Sequence, residues 1–384
     1  MRPLEGLTVL SIEQAVAAPF ATRQLADLGA RVIKVERPGP GDFARDYDET
    51  VRGMSSHFVW LNRSKESIAL DLKTEQGRDV MQRLVAKADV FVQNLGPGAA
   101  ERLGLGADQL RSKHPRLVHC SISGYGAGGP YAEKKAYDLL VQCEAGLVSI
   151  TGSEDQPAKV GISVADIAAG MYAYTGILTA LLRRHRTERG ATIEISMLEA
   201  LAEWMSFPMY YTAYGGTPPA RSGASHAAIA PYGPFSCQDD RQVFLGVQNQ
   251  REWRVFCERV LGKPVLADDS RFSSNSSRVE HRADLTDEIN AIFHTMGSDE
   301  VVRRLDTAGI ANARLRDMLG LAEHPQLAAR NRWSQVDSPV GPLCALVPPA
   351  TLDGDEPVMD RIPSPGEHTD AILAEFGLSR EATG

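Results

Sequence analysis

In the stretch VGISVADIAAGMYAYTGILTALLRRH (160–185), Asp166 stands between a short apolar run and a long apolar one. Two kinds of work suit a carboxylate there. With Ser163 three residues earlier it resembles a capping box with Asp in the Glu place, and an acid in a first helical turn is favoured by the helix dipole. An ionised aspartate where a loop enters a helix is also placed to attack an activated acyl group. The local sequence leaves both open.

Other chemistries find less support. No serine sits in G-x-S-x-G, and none of the five cysteines (Cys120, Cys143, Cys237, Cys257, Cys344) forms a C-x-x-C pair. The nine histidines show neither H-x-x-x-H nor a Cys/His cluster, so no metal site is expected. GYGAGGP (124–130) is glycine-rich, but Pro130 and the AEKK segment replace the helix start that a G-x-G-x-x-G fingerprint needs. A plain loop, free to move over a ligand, is the expected reading.

The elements that must position Asp166 follow from periodicity. LTVLSIE (7–13), RVIKVE (31–36), DVFVQN (89–94), LVHCSIS (117–123) and TIEISM (192–197) read as short Val/Ile-rich strands. Helical patterns lie between them, at 18–30, 74–89 and about 106–112, and an apolar helix at 167–182. This alternation predicts an α/β fold with a doubly wound parallel sheet, whose ligand site lies at the carboxyl ends of the strands. The large domain is expected over 1–200, completed by a Pro-rich return at 335–384. A linker follows at 201–224, then a smaller α+β domain at 225–334.

The 384-residue chain carries a net charge of −8 with both signs interspersed, which suggests neither a nucleic-acid partner nor an anionic membrane. No N-terminal segment looks like a secretion signal, and no run approaches the ~20 apolar residues of a membrane span. The unpaired cysteine usage predicts a reducing, cytoplasmic setting.

Several stretches taken in order resemble the class III coenzyme A transferases. PLEGLTVLSIEQAVAAPFATRQLADLGARVIKVERPGPGD looks like the family's opening, and RSKESIALDLKTEQG like its next block. DVFVQNLGPGAAERLGLG, SISGYGAGGP, AYDLLVQCEAGLVSITG, the Asp166 segment and the tail PGEHTDAILAEFGLS follow in family order. Each motif is weak alone; the ordered series over nearly the whole chain is specific.

The resemblance makes Asp166 the nucleophile that forms an aspartyl-CoA thioester. It implies no metal and no cofactor beyond the CoA thioester, which is a substrate. It implies that Val16 and Ala17 lie near the pantetheine and thiol, and that Arg37 faces the nucleotide phosphates. Leu72 and Lys73 would lie near the adenine. Asn94, Leu95, Ala99 and Arg102 belong to the N-x-x-P-G block, Lys135 lies beside the phosphates, and Asp138 is a carboxylate near the nucleophile. The glycine loop of the family's small domain has no counterpart; PYGPF (231–235) stands nearby.

RSGASHAAIAPYGPF and the following GVQNQREW resemble the subgroup that handles short dicarboxylates such as itaconate, mesaconate, citramalate, malate and succinate. Arg221, His226 and Tyr232 are the candidate substrate residues, since a buried anion needs a charged or multiply hydrogen-bonded partner. Ordinary linker roles for Arg221 and His226 remain open. A 2-methylacyl-CoA racemase is the alternative within the family, but Tyr137 stands where racemases carry their histidine. A non-catalytic CoA-binding protein is the alternative outside it. The resemblance also implies a homodimer of two interlocked rings.

Overall fold

The computed structural model describes residues 2–350 and 352–379. It divides into two compact units: Met1–Ala145 with Gly161–Met205 and Gln326–Gly384, and Gly146–Val160 with Ser206–Pro325. The 146–160 segment thus belongs with the smaller unit.

In the larger unit, β1 (Thr8–Ile12), β2 (Arg31–Glu36), β3 (Lys65–Ala69), β4 (Val90–Gln93), β5 (Val118–Ser123) and β6 (Thr192–Ser196) form one sheet. All neighbours pair in parallel, in the order β3-β2-β1-β4-β5-β6. Leu10 in β1 is flanked by Ile33 and Phe91, so the centre of the sheet is apolar and buried, as a parallel sheet requires. The order reverses between β1 and β4, which opens a crevice at their carboxyl ends.

Helices α1 (Ala17–Asp27), α2 (Ser56–Leu61), α3 (Glu75–Val85), α4 (Ala99–Arg102) and α5 (Ala107–Lys113) alternate with the strands. Helix α6 (Asp138–Glu144) follows β5. In the smaller unit, α7 is the single turn Leu147–Ile150. Helix α8 (Val164–Thr187) returns to the larger unit, and its uniform apolarity has a structural cause. It packs along α1 and against β5 and β6, so several of its faces meet protein. At 24 residues it is long and apolar enough to cross a membrane by length and composition, contrary to the sequence reading. Here one face of it is buried in the larger unit, and Arg184 near its C-terminus is buried and ion-paired to Asp89 at 3.0 Å.

β3 is an edge strand, and the C-terminal segment covers it. Ser67 N–H donates to His368 Nδ1 (3.1 Å), Ala69 N–H donates to Thr369 Oγ1 (3.0 Å), and Gly366 N–H donates to Ser67 Oγ (2.8 Å).

The presumed linker is partly helical: α9 (Met197–Trp204) closes the larger unit's second segment and α10 (Ser206–Gly215) opens the smaller unit's main segment. In the smaller unit, β7 (Tyr232–Ser236), β8 (Gln242–Gly246) and β9 (Ala311–Arg314) form an antiparallel sheet. Its helices include Asn275–Glu280, Arg282–Phe293 and Ser298–Ala308, and Trp253, Phe256, Phe272 and Phe293 fill its core. PYGPF falls largely in β7, paired with β8, and is not a free loop.

Candidate active site

The carboxyl end of β1 turns into α1 through Gln14–Val16, and this turn is fixed from both sides. Asn94 accepts the Gln14 N–H (2.9 Å) and donates to the Gln14 carbonyl (2.8 Å). Ala15 adopts φ 61°, a left-handed conformation uncommon outside glycine, and its N–H donates to Asp42 Oδ1 at 3.2 Å. Asn94 therefore positions the turn, using its amide on backbone rather than presenting it to a ligand. Val16 and Ala17 lie buried at the start of α1, where no side chain caps the helix.

Beneath the turn lies a cluster of buried charges. Lys65 Nζ is 2.6 Å from Glu13 Oε1, Lys34 Nζ is 2.8 Å from Asp42 Oδ2, and Thr22 donates to Glu13 Oε2 at 2.6 Å. Burial would neutralise Glu13, but the two lysines outweigh it and hold the carboxyl below its ordinary range. Burial wins at Lys65, which falls to about 8 despite Glu13. A second pair stands beside it: Arg45 meets Glu36 at 2.7 and 2.9 Å and, against burial, holds Glu36 at about 2. None of these residues was picked out from sequence as part of the site. Lys34, a charge between the apolar neighbours Ile33 and Val35 of RVIKVE, was the available signal.

Arg37, Leu72, Lys73, Leu95, Ala99 and Arg102 are brought together around one cavity of about 510 Å³ at the carboxyl ends of β1, β2 and β4. Arg37, Lys73 and Arg102 are exposed, giving the rim three cations. Val16, Ala17, Asn94, Lys135 and Asp138 are not among its lining residues. Lys135 is exposed just before α6, while its neighbour Lys134 is ion-paired to Glu144 and sits 4.2 Å from the Tyr131 ring centre and 5.3 Å from that of Tyr125. That staple, with Gly126 N–H donating to Ser123 Oγ at 3.0 Å, anchors the flanks of the GYGAGGP loop that the sequence suggested was free to move.

Asp166 lies in the first turn of α8, but not as a capping box. Ser163 makes no capping hydrogen bond. The cap comes from Asp138 at the start of α6: its Oδ1 accepts the N–H groups of Ala165 (2.8 Å) and Asp166 (3.4 Å), and its Oδ2 accepts from Gln142 (2.7 Å). The Asp166 carboxylate accepts no hydrogen bond from the described residues. Burial, and secondarily the Asp138 charge, push it up to about 7. One turn further along α8, Gly170 faces α1 so closely that a Cβ there would stand 2.7 Å from the Ala17 carbonyl oxygen. Residues four apart share a helix face, so α8 carries Asp166 to the start of α1. Tyr47, after the turn Phe43–Asp46, is pushed up to about 12 by burial and by Asp42, Asp166 and Tyr137, so its phenol stays protonated.

The three substrate candidates lie in the smaller unit. Arg221 spends its guanidinium on the carbonyls of Ser153 (2.9 Å), Ser149 (3.2 Å) and Glu154 (2.7 Å), so it clamps a loop instead of standing ready for a substrate carboxylate. His226 and Tyr232 come together as a parallel stack, 5.3 Å apart and 8° from coplanar. His226 Nδ1 accepts the Ala228 N–H at 3.1 Å, so its other nitrogen carries the proton of the neutral ring.

Comparison with known proteins fits this geometry. The chain is 33% identical to the succinyl-CoA:glutarate CoA-transferase of Mus musculus, covering 98% of this chain and 86% of that protein. It is 36% identical to the acetyl-CoA:oxalate CoA-transferase of Acetobacter aceti, covering 86% and 85%. Among solved structures, a CAIB/BAIF family protein from Brucella suis superposes with a TM-score of 0.85 at 33% identity, covering 98% of this chain and 99% of that one. The family model for CoA-transferase family III matches residues 4–369, and on that match this chain belongs to the family.

Proposed function

We propose that this enzyme moves CoA from an acyl-CoA donor, succinyl-CoA foremost, to a short dicarboxylate through a thioester on Asp166. The observation that carries the reading is the state of Asp166: a half-buried carboxylate that accepts no hydrogen bond from the described residues, held beside Asp138. Its charge is costly there, and acylation removes the cost. A group poised near pH 7 is partly ionised at neutrality and more nucleophilic than an ordinary carboxylate.

The sequence of steps balances. An Asp166 oxygen attacks the donor carbonyl, the C–S bond breaks and CoA leaves as thiolate, giving a mixed anhydride. The thiolate attacks the Asp166 carbonyl carbon, the donor acid departs as carboxylate, and the aspartyl-CoA thioester forms. The acceptor carboxylate then attacks that carbonyl and releases the thiolate, which attacks the acceptor's carbonyl and restores Asp166. The cavity rimmed by Arg37, Lys73 and Arg102 holds the nucleotide half, with Leu72, Leu95 and Ala99 as its apolar wall and Lys135 nearby for a phosphate. The turn at Val16 and Ala17 receives the pantetheine end. Remote binding of this kind keeps the thiol in place while acyl groups exchange.

The acceptor belongs to the dicarboxylates. Itaconate, mesaconate, citramalate and malate are suggested by the 221–253 stretch, while the named relatives add glutarate and oxalate. His226 and Tyr232 offer a donor and an aromatic face to such a substrate. Racemisation is the weaker reading, because Tyr137 supplies no second base of suitable strength. We also assign the working form to an interlocked homodimer: α10 leaves Phe207, Met209, Tyr210, Tyr211 and Tyr214 exposed, the last at 85%, and a second copy accounts for that apolar surface. Five free cysteines suit a reducing cytoplasm.

The test is mass spectrometry of the protein after incubation with succinyl-CoA and trapping by hydroxylamine or borohydride. A CoA-linked or trapped adduct on the Asp166 peptide, absent in Asp166→Ala, is the expected result. Deuterium entering Cα of a 2-methylacyl-CoA without any adduct would replace the transferase by the racemase.

A further inference from the structure

His57, the second residue of α2, is a candidate partner for the acyl group. Its Nδ1 is buried and has no hydrogen-bond partner, and neither ring nitrogen bonds to any described residue. The ring as a whole is 41% exposed. Two contacts fix it. It stands edge-on to Tyr47, with centroids 5.4 Å apart and planes at 88°. Asp48 Oδ2 lies 3.8 Å from Nδ1, too far for a hydrogen bond. Asp48 is itself pinned: it accepts the N–H of Thr50 (3.0 Å), the N–H of Ser56 (3.1 Å) and the Ser56 hydroxyl (2.7 Å), so the entry to α2 is rigid.

Tyr47 ties this histidine to the Asp166 end of α8 through the backbone: it closes the turn that Asp42 caps, Asp42 Oδ1 accepts the Ala15 N–H at 3.2 Å beside the start of α1, and Gly170, one turn along α8 from Asp166, packs on Ala17 there. The cations around it are already committed. Lys34 and Lys65 are neutralised by Glu13 and Asp42, and Arg45 is held by Glu36. Arg23 and Arg63 share Asp27, and Arg52 donates to the carbonyls of Val340 and Pro342. Among the described residues of this neighbourhood, His57 is a nitrogen base that makes no hydrogen bond.

We propose that His57 is a specificity-determining residue that binds the distal carboxylate of the acyl group, the one not joined to CoA. The proposal rests on the reading of Asp166 as nucleophile. An acyl chain tethered at Asp166 and ending in a carboxylate needs a donor a few ångströms further on, because a carboxylate taken from water without one is strongly disfavoured. His57 supplies that donor, and the edge-on Tyr47 ring forms an apolar wall for the methylenes between.

The experiment compares adduct formation on Asp166 from succinyl-CoA and from butyryl-CoA, thioesters of equal chain length with and without the second carboxylate. The wild-type protein is expected to prefer succinyl-CoA. His57→Leu should shrink that preference about 10- to 100-fold, the usual loss when a hydrogen bond to a charged group is removed. His57→Gln keeps a donor and should retain part of the preference, which separates recognition from a folding defect. An unchanged ratio, or an equal fall with both thioesters, overturns the proposal. So does a collapse of the ratio in His226→Ala but not in His57→Leu, which would assign the carboxylate to the smaller unit. If the wild-type protein forms no adduct from either thioester, the Asp166 reading itself fails and the proposal falls with it.

Discussion

Asp138 caps the helix that carries Asp166, accepting the Asp166 backbone N–H at 3.4 Å while its negative charge raises the Asp166 carboxyl. One carboxylate is spent on structure, and its half-buried neighbour is left without a hydrogen bond from the described residues. The pair is unequal by construction: Asp138 takes hydrogen bonds from Ala165, Asp166 and Gln142, whereas Asp166 takes none from the described residues.

Asp138→Asn tests the electrostatic half of this arrangement. The amide oxygen can still cap Ala165, but the charge is gone. Attack requires ionised Asp166, so adduct formation should rise as pH rises through about 7 in the wild type. In the variant that limb should move to lower pH, toward the ordinary carboxylate value. A pH profile of adduct formation checks it, and an unmoved limb would assign the raised value to burial alone.

Asp166→Asn should stabilise the fold at alkaline pH. The folded-state value is raised above the unfolded one, so between about 4 and 7 the native protein binds more protons than the unfolded chain. This group's contribution therefore falls as pH rises through that window. Removing the charge should gain about 2 kcal/mol at pH 8, allowing for partial solvation, and clearly less at pH 5. Denaturant melts of both proteins at the two pH values provide the comparison.

Gly170→Ala should damage chemistry more than binding. The new Cβ meets the Ala17 carbonyl oxygen at 2.7 Å, backbone that cannot swing aside, so α8 must move away from α1. A shift of even 1 Å at Asp166 can cost about 100-fold in rate. The expected outcome is a large fall in kcat with a small change in KM for the acyl-CoA; an unaltered kcat would mean the helices absorb the methyl elsewhere.

Arg221→Ala should loosen the 149–154 segment. Three carbonyls lose their donor together, each hydrogen bond being worth about 1 kcal/mol net. Faster hydrogen exchange and faster limited proteolysis across 149–160 are expected. Unchanged protection there would show that the loop is held by other contacts.

The sequence was informative where one residue type had one plausible use. RVIKVE is β2 to the residue, and four further strands fall within one residue of their predicted bounds. β3 escaped because KESIA opens with three polar residues. Lys65 and Ser67 point into buried partners, Glu13 and Glu36, which lie 52 and 31 residues away in sequence. The cap on α8 escaped for a related reason: Ser163 has the right spacing, but the group that does the work is Asp138, 25 residues before it. The cavity residues were recovered as a family pattern, not by local physics, since Arg37, Lys73 and Arg102 read singly as surface charges. His57 carried no signal at all, because an orphaned nitrogen exists only once its neighbours are in place.

The cover on β3 has a consequence for how the chain is made. Its partners, Gly366 to Thr369, lie about 300 residues downstream of Ser67 and Ala69. At 5–20 residues per second the ribosome needs roughly 15–60 s to deliver them. During that interval the first strands have emerged with one sheet edge bare, while the whole of 206–325 is synthesised and free to fold. A stretch made late thus covers the edge of a sheet begun early, and a nascent chain stalled before residue 366 exposes a strand edge open to aggregation.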